Sequence, residues 1–295
     1  DGTDWDIIMY SWSSQYDNIW DKIKSKRNCK IILDIDDYWH LPKNHFNYPT
    51  YGDTALQVEK NIINADLVTT THEVLADKIS LLNKNVIIIP NAIPFGEWQF
   101  TENKKPSDKV RIFWAGGIAH KNDLKILDKN IYRLTKLSDK VEMVIGGYCD
   151  DYASKETWDK MVGYFTHDYK IPHTILNNTS ALKFMELYEN ADVMLIPLEN
   201  NTWNGYKSNL KILEAATKKI PCIVSNVAPY SKDKGCPVLW VNTPDDWMKH
   251  LKFFINNPNA INDYGEKLYE WAKKKYNLKD VNQLRISVIE KLANL

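Results

Sequence analysis

NGYKSNLKILEAATKKIPCIVSN, residues Asn204–Asn226, is the stretch from which the fold is read. It gives a loop, a helix of about three turns, a break at Pro221 and a short apolar strand. Ser208 or Asn209 is placed to cap the helix, and Leu210, Leu213 and Thr217 make a face that packs on a sheet. Lys207, Lys211 and Glu214 fall at i, i+4 and i+7, which puts them on one flank near the helix start. A helix N-terminus presents unpaired N–H groups and the positive end of a dipole, which suits an anion such as a diphosphate. Two lysines add charge, and a carboxylate one turn further in can accept hydrogen bonds from a ribose diol. Taken alone, the same residues also describe a solvated helix with one Lys–Glu pair worth a few tenths of a kcal/mol.

The same grammar extends in both directions. Towards the N-terminus, WDIIMYSW (5–12) reads as a strand, 14–26 as a helix, and CKIILDID (29–36) as a buried strand of a parallel sheet. DDYWHLPKNHFNYPTYGD is a polar, aromatic loop. A helix follows over 54–64, then ADLVTTT as a strand, a helix over 73–82 and NVIIIPNAI as a strand. The polar segment 94–109, punctuated by Pro and Gly, reads as a linker. The alternation then restarts: VRIFWAGG is a strand into a glycine turn, 121–137 a helix and VEMVIGG a second strand. A helix near 157–165, the strand HTILNN, a helix over 181–189 and the strand ADVMLIPL lead into the opening stretch. PVLWVN and a mostly helical tail follow. Strands alternating with helices specify parallel sheets, here two in tandem, with ligands expected beyond the carboxyl ends of the strands.

Composition agrees and excludes several classes. At 295 residues two domains are expected, and 44% hydrophobic content supports sizeable cores. The formal charge is zero, so there is no global pull towards nucleic acid or anionic lipid. Cys29, Cys149, Cys222 and Cys236 are scattered, without a C-x-x-C pair, which points to reduced thiols and a cytoplasmic setting. No apolar run is long enough to span a bilayer, and no signal peptide is visible. The chain opens on Asp1 rather than Met, so a truncated N-terminus is expected. No G-x-S-x-G, Cys–His or Walker A pattern is present. Lys273, Lys274 and Lys275 read as a solvated helix face.

Three groups carry candidate chemistry. Gly116 and Gly117 end a strand and let backbone approach a phosphate, with Lys121 able to add charge and His120 beside it. Asp34, Asp36 and Asp37 end a buried strand, where carboxylates this close repel and require a partner, a metal or a raised pKa. They serve as a catalytic carboxylate, a hydroxyl-binding site, an Asp-x-Asp metal site or a loop anchor. Tyr38, Trp39, His40, His45 and Tyr48 follow, suited either to stacking on sugar rings or to packing a long loop.

The order of these motifs resembles the retaining glycosyltransferases of the GT-B fold, family four. The matching pieces are ADLVTTTHEVLADKI with VIIIPNAI, VRIFWAGG, YENADVMLIPLENN and KSNLKILEAATKKIPCIVSNVAPY. The resemblance runs from about Cys29 onward and is strongest over 191–230. It implies an α/β fold of two Rossmann-like domains with a cleft between them. The expected divisions are an acceptor-side domain over 1–98, a linker over 99–109, a nucleotide-sugar domain over 110–277 and a last helix over 278–295 that packs back on the first domain.

It further implies a UDP- or GDP-sugar donor, a hydroxyl acceptor on a glycan, lipid or protein, and no cofactor or metal. Glu214 matches the ribose-binding glutamate, and Ser208 and Asn209 the turn whose amides meet the diphosphate. Lys207 and Lys211 flank that turn, while Gly116, Gly117 and Lys121 face the phosphates from the other side. Asp36 and Asp37 stand where many members carry a His-Asp pair and take the catalytic role. Sugar or acceptor contacts fall to Tyr38, Trp39, His40, His120 and Tyr206. There are departures: Tyr206 stands where the family has the first of two glutamates, and the usual Arg after the glycine turn is absent. Three alternatives follow: a degenerate sugar- or nucleotide-binding module, a transferase acting on modified DNA bases, and a metal-dependent transferase using Asp34 and Asp36.

Overall fold

Continuous runs of Val, Ile and Leu become strands buried on both faces, which is what a parallel sheet covered by helices demands. In the computed structural model, which describes residues 6–11, 29–45, 47–151 and 153–294, ten strands form two sheets, the central strands buried and the edge strands half-buried. The first has the order β1 (Ile7–Ser11), β2 (Lys30–Ile35), β3 (Leu67–Thr70), β4 (Val86–Ile88), all parallel. The second runs β10 (Leu239–Val241), β9 (Cys222–Ser225), β8 (Val193–Ile196), β5 (Val110–Ala115), β6 (Val141–Tyr148), β7 (His173–Asn177), again all parallel. Chain order reverses between β5 and β8, so the second sheet has its switch point there. The α/β class and the two parallel sheets are as the alternation predicts. The helix expected over 14–26 lies outside the described residues.

The helices are α1 (Tyr48–Tyr51), α2 (Ala55–Asn64), α3 (Glu73–Ile79), α4 (Lys121–Asp128) and α5 (Lys155–Thr166). α6 (Leu210–Thr217), α7 (Pro244–Asn256), α8 (Pro258–Tyr276) and α9 (Leu278–Ala293) complete the set. Two core clusters flank the second sheet, one around Phe113, Ile212 and Val224 and the other around Ile112, Trp158 and Trp247. A third covers one face of the first sheet through Ile31, Leu33, Val58 and Ile79. The other face is closed by Val288 and Leu292 of α9, packed on Ile32 and Leu67. Each such side chain removed from water contributes about 1.5–3 kcal/mol. The crossover to α9 is pinned where Ile93 N–H donates to the Tyr276 carbonyl (2.9 Å) and Leu278 N–H to the Ile93 carbonyl (3.0 Å).

Two expected helices differ. The one over 121–137 stops at Asp128 and resumes as a 3-10 turn, Tyr132–Leu137. Asn130 Nδ2 donates to the Ile126 carbonyl (2.6 Å), a side-chain bond that competes with the helical ladder. The stretch Ala181–Asn190 is 3-10 rather than α. Gln99, from the polar segment after Pro94, takes both groups that a helix would pair. Its Oε1 accepts from Met185 N–H (3.1 Å) and its Nε2 donates to the Ala181 carbonyl (3.0 Å). That segment therefore runs along the second sheet, further fixed by Lys105 N–H to the Glu189 carbonyl (2.9 Å) and Lys104 to Asp192 (2.6 Å).

Candidate functional site

The glycine turn Gly116–Gly117 follows the carboxyl end of β5 at the switch point, where a sheet of this kind has its crevice. Gly147, at the end of β6, has φ +93°, and a Cβ there would lie 2.6 Å from the Gly116 carbonyl oxygen. A Cβ on Gly116 would meet the Trp114 ring at 2.8 Å and Lys211 Nζ at 3.0 Å. Gly116 is thus needed for close packing, whereas Gly117 has open space around its Cα. Lys211 reaches back from α6 to donate to the Ala115 carbonyl (2.5 Å), with its ammonium 5.5 Å from the Trp114 ring centre. Burial lowers the Lys211 pKa, and neighbouring Glu214 pulls it back up. Glu214 mirrors this: burial raises its pKa, while Lys211 and a hydrogen bond from Tyr188 Oη (2.6 Å) oppose the rise.

At the start of α6, Asn209 is the N-cap residue but makes no capping bond with its side chain. Its Nδ2 donates instead to Asp233 Oδ2 (2.9 Å), which also takes the Tyr276 hydroxyl (2.5 Å). Asp233 pairs with Lys275 as well, so that lysine is not merely solvated as its sequence context suggests. At the first turn of α6 the Ile212 N–H donates to the Asn209 carbonyl (2.9 Å), whereas the Leu210 and Lys211 N–H groups stand ahead of any intrahelical acceptor. Leu210 is 39% exposed and does not pack on the sheet; Ile212, Leu213, Ala215, Ala216 and Thr217 do. The helix begins one residue too late for Leu210 to turn inward.

Across the crevice, the loop after β2 supplies the acids. Asp34, at the end of β2, accepts from Thr69 Oγ1 (2.5 Å) on the neighbouring strand. Among the described residues, no group of three or more His, Cys, Asp or Glu side chains is arranged to hold a metal ion. Asp36 is exposed. Asp37 accepts from Lys207 Nζ (3.0 Å); burial raises its pKa and Lys207 offsets part of that. Lys207 therefore does not share a flank with Lys211, because it precedes the helix and crosses to the first sheet. Its ammonium also sits 3.7 Å over the Trp203 ring. Tyr206 stacks on Tyr38 with ring centres 4.4 Å apart, and its carbonyl meets His72 Nε2 at 2.9 Å. Trp203 Nε1 donates to the Tyr38 carbonyl (3.3 Å), and its ring lies 4.5 Å from His45.

One expected sugar contact is corrected. Trp39 is 1% exposed and donates to Glu59 (3.2 Å), so it presents no face to a ligand. His40 meets the same Glu59 (2.7 Å) with its ring exposed and 5.4 Å from that of Tyr38. Lys121 begins α4 beside the glycine turn, its backbone N–H donating to the Ile118 carbonyl and its side chain half-buried with no hydrogen bond to the described residues. His120 Nδ1 lies 2.7 Å from Asp123 Oδ2. The other oxygen of Asp123 accepts from Glu199 N–H and Asn204 Nδ2, both at 2.8 Å. Asp123, Asn204, Trp203, His72 and Tyr188 were not singled out from the sequence. The His-x-x-Asp spacing at 120–123 was the one available signal. A cavity of about 280 Å³ lies beside the α6 N-terminus, between Thr71 and His72 on one side and Ser208, Asn209 and Lys232 on the other.

No protein-family model matches the sequence, and no curated protein matches it. Solved structures do. Sucrose-phosphate synthase from Thermosynechococcus elongatus aligns with a TM-score of 0.74 at 14% identity, covering 98% of this chain and 74% of that one. TarM, known from S. aureus, gives 0.71 at 13%, covering 98% and 55%. HepE of Anabaena, in complex with UDP and glucose, gives 0.71 at 11%, covering 99% and 78%. This is the GT-B fold. At these identities the fold is what is shared, and it places the switch point of the second sheet opposite the first sheet. Among the described residues no helix is long and apolar enough to cross a membrane.

Proposed function

We propose that this protein is a retaining, metal-independent glycosyltransferase that moves a sugar from a UDP- or GDP-sugar to a hydroxyl of a glycan, lipid or protein. The observation that carries the reading is the juxtaposition at the switch point. Lys211, in the first turn of α6, reaches the strand end that leads into the Gly116–Gly117 turn. The buried Glu214 carboxylate interacts with it from the same helix, so positive charge, a helix start and one buried carboxylate are paired there. HepE holds UDP and glucose, and a TarM structure holds UDP with α-GlcNAc-glycerol, which favours UDP as the nucleotide to try first.

On this reading residues 110–277 hold the donor and 1–98 face the acceptor, joined by 99–109 and tied by the returning helix. Glu214 accepts from the ribose diol, while the α6 amides and Lys211 take the diphosphate. The acceptor hydroxyl attacks the anomeric carbon on the face from which the diphosphate departs. The bond from carbon to acceptor oxygen forms as the bond to the phosphate oxygen breaks, and the acceptor proton passes to that phosphate. Asp37, with Asp36 beside it, orients sugar or acceptor; Tyr38 and Tyr206 wall the same edge. The protein contributes position and leaving-group electrostatics.

The test is a thermal-shift screen with UDP, GDP, ADP and CMP, each with and without chelator. A nucleotide that binds the native state at about 100 times its Kd adds about 2.7 kcal/mol of apparent stability. UDP is expected to raise the melting temperature equally with chelator present, and Glu214→Ala to abolish the rise. No shift with any nucleotide overturns the reading, and loss of the shift in chelator removes metal independence. One observation favours a second reading, a sugar-binding module without turnover: Lys207 already neutralises Asp37, and the Tyr38–Tyr206 stack fills the crevice edge. Binding of UDP-sugar with no release of UDP, in the presence of water and simple sugars, would select it.

A further inference from the structure

His120 is the residue left unexplained by the donor contacts. It caps α4 immediately after the glycine turn, with its backbone N–H on the Gly117 carbonyl (3.1 Å). Its ring lies edge-on to Trp114 at 6.1 Å, the same indole that Lys211 approaches at 5.5 Å. Ring and ammonium therefore border one space, the mouth of the glycine turn. Asp123 is 4% exposed and, as a carboxylate, can only accept; the 2.7 Å contact fixes the imidazole proton on Nδ1. Nε2 is then a bare lone pair and makes no hydrogen bond to the described residues.

A lone pair facing the seat of a diphosphate is a mismatch in the neutral ring and a match in the protonated one. We propose that His120, oriented by Asp123, contacts the diphosphate of the bound donor and takes up a proton on Nε2 as the nucleotide binds. Nε2–H then donates to a phosphate oxygen and stabilises the charge that grows there as the sugar departs. The proposal rests on the donor reading above. The proton comes from solvent, and no bond to carbon is made or broken by His120. Asp123 is a positioning residue: it sets the tautomer and supplies the counter-charge for the imidazolium.

The surroundings explain why the ring is neutral before the ligand arrives. Burial lowers the His120 pKa; Lys211 and Lys207 lower it further, and Asp123 works against them. Asp37, across the crevice, feels His120. Glu214 faces Lys211 from the same helix, and Lys121 interacts with Glu156 of α5. Tyr230, from the loop after β9, is held neutral by burial. A diphosphate seated among these groups cancels the two lysines that suppress protonation and adds its own negative charge to that of Asp123, so that the two together work against the burial.

The plainer account is a structural one: Asp123 holds the His120 ring at the helix start and pins the loop carrying Glu199 and Asn204. The two accounts part in proton linkage. Titration of UDP at pH 7.5 in buffers of widely different ionisation heat gives the protons taken up per nucleotide bound. The wild type is expected to take up a measurable fraction of a proton. His120→Gln is expected to abolish the uptake and weaken UDP by about tenfold, with an unliganded melting temperature near that of the wild type. Asp123→Asn is expected to reduce the uptake as well. Uptake unchanged in His120→Gln places the proton on the phosphate and overturns the proposal, as does tight wild-type binding without uptake; both leave the donor reading standing. Failure of UDP and GDP to bind the wild type removes both.

Discussion

Tyr188→Phe isolates one bond beside α6, the hydroxyl contact to Glu214. The ring of Tyr188 is fully buried, so phenylalanine keeps the packing and deletes only the hydroxyl that donates to Glu214 Oε2 at 2.6 Å. A hydrogen bond to a charged group contributes about 1.5–3 kcal/mol, and one to a neutral group about 0.5–1.5 kcal/mol. The difference makes the penalty depend on pH, with a definite sign. Glu214 has a folded pKa raised from 4.5, chiefly by burial, with Lys211 and Tyr188 opposing. Raised means that its share of stability is complete below the unfolded pKa and is lost as pH rises through the folded one. Removing the hydroxyl raises the folded pKa further, so the loss extends to higher pH and deepens.

The variant is therefore expected to melt close to the wild type in mild acid and to fall behind as pH increases. A penalty of about 2 kcal/mol at pH 8 lowers Tm by about 4–8 °C. Denaturant titrations of both proteins from pH 5 to pH 8 measure the difference directly. On the donor reading, UDP affinity falls with it by about tenfold, because the ribose meets a carboxyl that is less charged and less well aimed. A penalty that is flat with pH refutes the assigned coupling of Tyr188 to Glu214. A penalty that shrinks as pH rises means that the hydroxyl favours the neutral carboxyl, which refutes the lowering effect assigned to Tyr188.

Gly147→Ala is expected to destabilise the fold by about 1–3 kcal/mol from backbone strain at positive φ alone, and to weaken nucleotide binding by pushing on the Gly116 carbonyl. Gly117→Ala has open space for its methyl; unfolding curves should match the wild type, so a loss confined to nucleotide binding reports the ligand's approach to that residue. Asp192→Asn strips the counter-charge from Arg111, which is bonded to it at 2.9 Å and 3.2 Å in a site where the two side chains are 6% and 13% exposed. A cost of about 3–5 kcal/mol is expected in denaturant unfolding. Burial acts to raise the Asp192 pKa, but Arg111 and Lys104 outweigh it and hold it below the ordinary value. Wild-type stability from this pair is therefore present above the unfolded pKa and lost as pH falls through the folded one.

What was legible in the sequence is what period and punctuation encode. Parallel strands are buried on both faces, so VRIFWAGG and ADVMLIPL show as continuous apolar runs, and the glycines at 116 and 117 mark where one turns out of the sheet. Glu214, Lys211 and the glycine turn come together because a strand–turn and a helix N-terminus meet at the switch point of any such sheet. Local rules could not see partners far away in the chain. Ala181–Asn190 has helical spacing, yet a side chain 82 residues earlier takes its backbone groups. Trp39 looks like the aromatic wall of a sugar site, but it is buried and Glu59 claims its indole N–H.

The stretch from Trp203 to Glu214 shows how one loop comes to serve two masters. Because α6 starts only at Leu210, Tyr206 and Lys207 lie outside the helical period, and the flank expected from i, i+4 spacing divides. Lys211 and Glu214 stay with the second sheet. Lys207 joins Asp37 across 170 residues, and Trp203 joins Tyr38 across 165. The loop is tethered on both sides, since Asn204 is held by Asp123 at 2.8 Å and Tyr206 by the stack on Tyr38. A change in the angle between the sheets must therefore either break the Lys207–Asp37 pair and the tyrosine stack or drag the start of α6. The residues that tie the two sheets together and the first turn of α6 are separated by only a few peptide bonds, so on the donor reading an anion bound at that turn acts on the same loop.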